Sequence, residues 1–475
     1  MKTMSEKLAE AAHQVLRQWH TKDCNNSPWN ELLIVAQRLN QQPFPNLALA
    51  VKEVLLESLQ ALDKQAGSSL GVRIVREHFL DRRTVTDIAI RLNLTDNVVY
   101  NKQQIAIKGL GCVIWRAESK TRSVKAARIA GRLIIQEPPP LFGVKDKLAE
   151  LVNILAVRAL PWLAAVVGIG GIGKTSLADA AVRAIAHTAI FADVAWVSAR
   201  QGRFTLWDGL LEALEGTPAL TFEGLMDAII KQFDFQDLSR LPLTQKRAGL
   251  RARLKAQPYL VVVDNLETAA DYGALVPKLN DLINPSKFLL TGRHRLHQYP
   301  GVRSLSLDEL SAQDSLALLR HEASTRGMTD VADTPDETLL RVYQAAGGNP
   351  LALKLLVGQM GVFSPRQVAE DLRQAQGKPV KELYRFIYWQ SWHLLTEEAQ
   401  RVLSVMPLVA ETGGGLEHIS TISELDGGRL AAALQHLVTL SLVNVRGAVE
   451  TRRYSIHRLT ETFLLNEVLK WQAMS

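Results

Sequence analysis

Gly168-Ile-Gly-Gly-Ile-Gly173-Lys174-Thr175 is the stretch on which the fold turns. It satisfies G-x-x-x-x-G-K-[ST], with an apolar run (Ala164–Val167) before it and a helical pattern (Ser176–Ala184) after it. Glycines at these positions let backbone N–H groups wrap a polyphosphate with no Cβ in the way, and a helix N-terminus adds a favourable dipole. Lys174 then reaches the β- and γ-phosphates, and the Thr175 hydroxyl can ligate Mg²⁺. The spacing predicts a cradle made by Gly168, Gly170, Gly171, Ile172, Gly173, Lys174, Thr175 and Ser176 between a strand and a helix.

Such a cradle needs an acidic partner at the end of another buried strand. Tyr259-Leu-Val-Val-Val-Asp264 supplies one, because a carboxylate closing an apolar run is costly unless it ligates or pairs. Asp264 is expected to organise Mg²⁺ together with Thr175. Asn265 follows, so a second carboxylate to polarise water is missing; Glu267 is the nearest substitute, and a solvated surface glutamate accounts for it equally well. Hydrolysis is therefore expected to be slow at most. Lys287-Phe-Leu-Leu-Thr291-Gly-Arg293 ends a further strand in a hydroxyl and an arginine. Arg293 either senses a γ-phosphate, the favoured assignment, or belongs to an exposed Arg293-His294-Arg295 tripeptide. Lys174, Asp264 and Arg293 make up the expected catalytic set.

Outward from these motifs, apolar runs at Ala164–Gly168, Val194–Ser198, Tyr259–Val263, Lys287–Thr291 and Val302–Leu305 alternate with helical segments. That alternation predicts a parallel sheet covered on both faces. Helices follow from Ser311 to Leu372, broken by Gly347-Gly348-Asn349-Pro350, and continue from Val380 to Leu440. Ser441–Arg446 and Arg453–His457 read as a hairpin before a closing helix to Trp471. Upstream, Glu137-Pro138-Pro139-Pro140 is the clearest linker, since consecutive prolines cannot continue a helix. Three helices are expected in the first 70 residues, at Ser5–Trp19, Leu32–Leu39 and Leu47–Leu62.

The chain has 475 residues, which suggests about three domains. It is 47% apolar and 22% charged, an ordinary globular composition. Cys24 and Cys112 are too few for a disulfide framework or a four-cysteine metal site. The charged start MKTMSEKLAEAAHQ does not read as a secretory signal, and Leu163–Gly173 is too short to cross a bilayer. A soluble, cytoplasmic protein with no membrane partner is expected. The net charge is +7, and residues 1–140, with 20 Lys/Arg against 13 Asp/Glu, carry all of it. Residues 101–132 hold Lys102, Lys108, Arg116, Lys120, Arg122, Lys125, Arg128 and Arg132 against Glu118 alone. Local excess of this kind suits a polyanion, though a solvated helix face and basic linker would look the same.

Within that head, Thr84 to Ala106 reads as helix–turn–helix. Ala89 is small where two helices would cross, Asn93 tolerates a left-handed turn, Thr95 can cap the second helix and Val99 can close the core. The second helix would present Asn97, Asn101, Gln104 and Lys108 on one side, suited to adenine edges and to phosphate or guanine. This region resembles the DNA-binding part of sigma-factor-type regulators over about 40 residues. A tri-helical protein-interaction bundle with a polar face is the alternative.

Taken in order, the motifs from about residue 140 to 470 resemble the NB-ARC group of STAND ATPases. Phe142-Gly143 resembles the start of that module, with Val144 where an arginine is usual. Phe191–Ser198 is similar to its second strand, in which Trp196 reads as core packing, and Leu307-Asp-Glu-Leu310 to the entry of its first helical subdomain. Gly348-Asn349-Pro350-Leu351-Ala352 is similar to the motif whose proline packs on adenine. Tyr454-Ser-Ile-His457-Arg458 resembles the motif whose histidine touches the β-phosphate of ADP, with Arg458 where aspartate is frequent.

The resemblance implies a multidomain chain: an α/β P-loop NTPase with a parallel sheet, an α-helical subdomain and a winged-helix domain, preceded by an all-α head. The expected division is 1–70, a helical region; 71–136, the helix–turn–helix-like and basic part; 137–305, the nucleotide-binding domain; 306–376, the helical subdomain; and 377–475, the winged helix. It also implies ATP/ADP and Mg²⁺ as ligands, with Pro350 and His457 as nucleotide contacts. ADP would hold the closed form, and ATP would open the chain and let it oligomerise. No 20–50-residue repeat is visible, so either a separate sensor or effector protein is expected or the trigger docks on the winged helix. A regulator acting on DNA and a nucleotide-gated scaffold recruiting an effector both fit.

Overall fold

The computed structural model describes residues 2–20, 28–42, 46–133, 135, 137–199, 220–266, 269–293, 296, 298–374, 380–409, 413–447, 451–456 and 458–469. Structural statements below concern these residues.

The head is all-helical: α1 (Met4–Arg17), α2 (Leu33–Gln41), α3 (Leu47–Asp63), α4 (Ser69–Val75), α5 (Val85–Leu92) and α6 (Asp96–Ala130). Thr3 and Glu6 form a reciprocal capping box that starts α1, and Thr84 and Asp87 do the same for α5. Helix α5 stops at Asn93, which takes the left-handed conformation (φ 53°). Thr95, expected to cap the next helix with its side chain, makes no such bond, although its backbone is extended as at a cap.

The larger difference lies in α6. The sequence pattern gives no helix end for the basic segment after Ala106; it continues α6, which runs unbroken for 35 residues, about 50 Å at the helical rise. Two cores line its first half. Leu8, Leu16, Trp29, Val51, Leu55 and Leu59 pack with Ile107, Leu110 and Ile114, while Ile74, Ile88, Ala89 and Val99 form a smaller cluster. Helix α1 crosses close at Gly111, where a Cβ would strike the Ser5 carbonyl and Ala9.

Past α7 (Lys145–Ala156) come β1 (Leu163–Val167), α8 (Lys174–Ala186) and β2 (Val194–Ser198). Next are α9 (Phe222–Gln232), α10 (Gln236–Ser239), α11 (Leu243–Ala256), β3 (Leu260–Leu266), α12 (Ala269–Leu279), β4 (Lys287–Gly292) and β5 (Val302–Ser306). The five strands form one parallel sheet in the order β2-β3-β4-β1-β5. Alternation along each strand feeds two separate cores. Ala165, Val167, Val261, Val263 and Leu290 face α9 and α11, whereas Ala164, Val166, Val262 and Leu289 face α8. Trp196 is buried in the second core, as expected for packing.

Helices α13 (Ala312–Thr325), α14 (Thr329–Ala332), α15 (Asp336–Ala346), α16 (Pro350–Met360) and α17 (Pro365–Gln374) come after the sheet. The chain continues with α18 (Val380–His393), α19 (Glu397–Val405), α20 (Leu416–Ser423), α21 (Gly427–Thr439), the antiparallel pair β6 (Val443–Arg446) and β7 (Arg453–Ile456), and α22 (Arg458–Phe463). One core runs from Leu310 to Val468 through both groups. Among the described residues no helix is long and apolar enough to cross a membrane.

Candidate functional site: the glycine loop and its partners

Strand β1 ends at Val167, and the glycine loop leads straight into α8, whose first residue is Lys174. The loop needs its glycines: Gly171 (φ 75°) and Gly173 (φ 100°) sit in left-handed backbone that side chains rarely adopt. Lys174 is buried, and its Nζ donates to the carbonyls of Gly168 and Ile169, both at 2.9 Å. Its ammonium is thus folded over the loop it is expected to serve. Ile172 is buried, while Thr175 and Ser176 are half-buried in the first turn of α8.

Asp264 stands on β3, separated from β1 by β4. It is wholly buried, and donors surround its carboxylate. Thr175 Oγ1 donates at 3.0 Å to Oδ1 and lies 3.2 Å from Oδ2, and Asn265 Nδ2 donates at 3.2 Å to Oδ2. Thr291, on the intervening strand, hydrogen-bonds Oδ1 and accepts the Asn265 N–H at 2.9 Å. Asn265 takes a left-handed φ of 66°, and the β3–β4 register shifts there. Thr175 and Asp264 thus bring a hydroxyl and a carboxylate together beside the loop. Hard oxygen donors with few protein ligands are what Mg²⁺ takes when phosphates supply the remainder. Among the described residues no cluster of three or more His, Cys, Asp or Glu could hold a metal without that help.

The far wall of the loop comes from the helical group. Asn349 is fully buried and caps α16, its Oδ1 accepting from Leu351 N at 3.0 Å and Ala352 N at 3.4 Å. Its Nδ2 donates to Gly170 O at 2.9 Å. A Cβ on Gly171 would fall 2.7 Å from Leu351 Cβ, so the loop and α16 are in van der Waals contact. Gly348 donates to Glu309 Oε2 at 3.2 Å and accepts from Leu310 N at 2.9 Å, which ties the turn before α16 to the segment leaving the sheet. Pro350 is the first residue of α16, where a missing N–H costs nothing. At the other end of the module, Phe142 meets the His321 ring of α13 with centroids 5.5 Å apart.

Arg293 is exposed immediately after β4. His457 and Glu267 lie outside the described residues. Asn97, Asn101, Gln104 and Lys108 are all exposed on α6. Much of the basic stretch around them has another use. Lys125 is buried, donating to Thr188 O at 2.8 Å and to Phe191 O. Arg128 and Arg132 pair with Asp193 at 3.2 and 3.0 Å, and Arg132 also donates to Val194 O at 2.7 Å. These cations dock α6 on the nucleotide-binding unit, the structural one of the two readings that the basic stretch allows. Pattern reading singles out Lys174 and Asp264 but not the hydrogen bonds of Thr291 to Asp264 and of Asn349 to the loop. Asn before Pro signals a helix cap; nothing in it signals a loop held from outside.

Residues 144–327 match the NB-ARC domain family. Two disease resistance proteins of Arabidopsis thaliana are similar to this chain. LAZ5 is 26% identical over 225 residues, covering 46% of this chain and 18% of that protein. RPP8 is 30% identical over 234 residues, covering 46% and 23%. The chain therefore spans less than a quarter of these curated relatives. A solved STAND protein with a tetratricopeptide repeat sensor from Pyrococcus horikoshii is similar at a TM-score of 0.44 and 18% identity, over 69% of this chain and 42% of that one. Residues 144–327 of this chain are therefore an NB-ARC domain.

Proposed function

We propose that this chain is an ATP/ADP-switched signalling protein, a cytoplasmic transcriptional or defence regulator that opens and self-associates when ATP replaces ADP. The observation that carries it is the shared wall of the phosphate loop. Gly170 and Gly171 touch Asn349 and Leu351 of another unit, so a change in the loop is felt in the helical group at once.

In this scheme Lys174 and the loop amides take the phosphates while Thr175 and Asp264 hold Mg²⁺. Arg293, exposed beyond β4, reads the γ-phosphate. Pro350 packs on adenine, and His457 contacts the β-phosphate in the closed form. A shift from 1:99 to 99:1 takes about 5.5 kcal/mol of differential binding, which favours contacts spread over several units. We assign residues 377–475 to a winged-helix domain, and α5 with the start of α6 to a helix–turn–helix presenting Asn97, Asn101, Gln104 and Lys108 to DNA. Asn265 leaves no second carboxylate beside Asp264, in keeping with slow hydrolysis.

The test is to denature the purified full chain and identify the nucleotide released, then follow oligomer size by light scattering in ADP and ATP. Retained ADP and growth in ATP are expected, with neither in Lys174→Ala. An empty pocket that gives no binding heat with either nucleotide overturns the proposal. A second reading, an effector-recruiting scaffold without DNA binding, is favoured by Val98, Tyr100 and Ile105, which are 38%, 52% and 58% exposed on α6.

A further inference from the structure

The Gly170–Gly171 peptide is the one in the phosphate loop whose two residues both lack a Cβ, so its own side chains do not fix which way it points. An amide that is to meet a phosphate must nevertheless point one way. In a planar trans peptide the C=O and the following N–H point in opposite directions. Whatever holds Gly170 O therefore also sets the direction of Gly171 N–H.

Asn349 holds it. Its Nδ2 lies 2.9 Å from Gly170 O, on a side chain with no solvent exposure. The orientation of this amide is fixed by its surroundings: Oδ1 accepts from two backbone N–H groups, Leu351 at 3.0 Å and Ala352 at 3.4 Å. Turning the amide over would set NH₂ against those donors and oxygen against a carbonyl. The residue is anchored further by Leu353 N, which donates to Asn349 O at 3.0 Å.

We propose that Asn349 is a positioning residue for phosphate binding: from the helical group it fixes the Gly170–Gly171 peptide so that Gly171 N–H faces the cradle. This inference rests on the nucleotide proposal above. Asn349 touches no phosphate itself, and acts through one amide. The same bond makes the first turn of α16 move with the loop, so loss of the donor uncouples the two.

Asn349→Asp isolates the donor, since a carboxylate still accepts from Leu351 and Ala352 but cannot donate to Gly170 O. Asn349→Ala removes both functions. ADP and AMP affinities are measured on the full chain by competition against a fluorescent ADP, alongside thermal unfolding without nucleotide. In Asn349→Asp the ADP affinity falls about tenfold, while AMP, which lacks the β-phosphate, changes by less than about twofold. Without nucleotide both variants unfold earlier than the parent, Asn349→Asp because its buried carboxylate meets the Gly170 carbonyl and Asn349→Ala because the cap is lost, so the ADP-against-AMP difference and not the unfolding carries the test. Unchanged ADP affinity in Asn349→Asp overturns the inference, as does a parallel loss for ADP and AMP, which marks a merely structural role. If the parent chain itself takes up no ADP, the nucleotide proposal falls and this inference with it; a binding parent beside an indistinguishable Asn349→Asp sinks this inference alone.

Discussion

A carboxylate with no exposure at the end of a central strand is tolerable only while donors surround it, and Asp264 has Thr175, Thr291 and Asn265. Thr291→Val keeps the shape and deletes one donor, leaving the buried charge less well held. Its expected cost is about 1–3 kcal/mol of unfolding free energy, and denaturant melts of parent and variant would measure it. An unchanged melt would mean that Thr291 contributes no net stabilisation to the carboxylate. Lys174 and Asp264 were legible in the sequence because the chemistry forces a local pattern: glycines before an ammonium, and an apolar run before an acid. Thr291 and Asn349 were not legible in these roles. Thr291 reaches Asp264 because β4 lies between β3 and β1, a sheet order that no local pattern encodes. Asn349 reaches Gly170 across 179 residues of chain.

Helix α6 shows what element-level patterns miss. The left-handed Asn93 turn and the helix start after Thr95 follow the sequence pattern, although Thr95 makes no side-chain cap bond; the full length of the helix does not, since Gly109 and Gly111 weaken the pattern and basic residues dominate the remainder. Tertiary contacts decide instead. Glu118, wholly buried in mid-helix, accepts from Leu33 N at 3.0 Å and Ile34 N at 3.1 Å, and so caps α2, whose own N-cap Leu32 has no side-chain acceptor. Glu118→Ala leaves two amides unpaired and Arg122 without its partner at 2.6 Å; a loss of about 2–4 kcal/mol is expected in denaturant melts. At the other end of α6, burial pushes the Lys125 ammonium down from 10.5 to about 8, against the pull of Asp193. Between those values the unfolded chain binds more protons than the folded one, so stability rises with pH through that window. Lys125→Met removes the titrating group. The unfolding free energy of the parent relative to Lys125→Met should therefore grow by on the order of 1 kcal/mol between about pH 7.5 and about pH 9.5. A constant difference would mean that Lys125 titrates normally.

At the scale of the molecule, the α6 clamp on Asp193, backed by Ile129 and Leu133 in the α8 core, ties the head to the sheet, and the Asn349 contact ties the helical group to the loop. The clamp changes what the positive charge can do outside. Residues 101–132 hold eight cations, but Lys125, Arg128 and Arg132 are engaged with the nucleotide-binding unit, and Arg122 with Glu118. Lys102, Lys108, Arg116 and Lys120 remain exposed on the helix. If this face binds duplex DNA, counterion release from four phosphate contacts gives log K falling against log salt with a slope no steeper than about −3.6, where eight would give about −7. Fluorescence anisotropy of a labelled duplex with the full chain, from 50 to 200 mM salt, would check it. Lys108→Ala should flatten the slope by roughly one contact, whereas Asn101→Ala and Gln104→Ala should lower affinity without changing it. A slope near −7 would mean that the α6 clamp opens on DNA and releases its cations. No anisotropy change at low salt would hand the face to a protein partner, with exposed Tyr100 and Ile105 as the apolar anchors and the four cations as its rim.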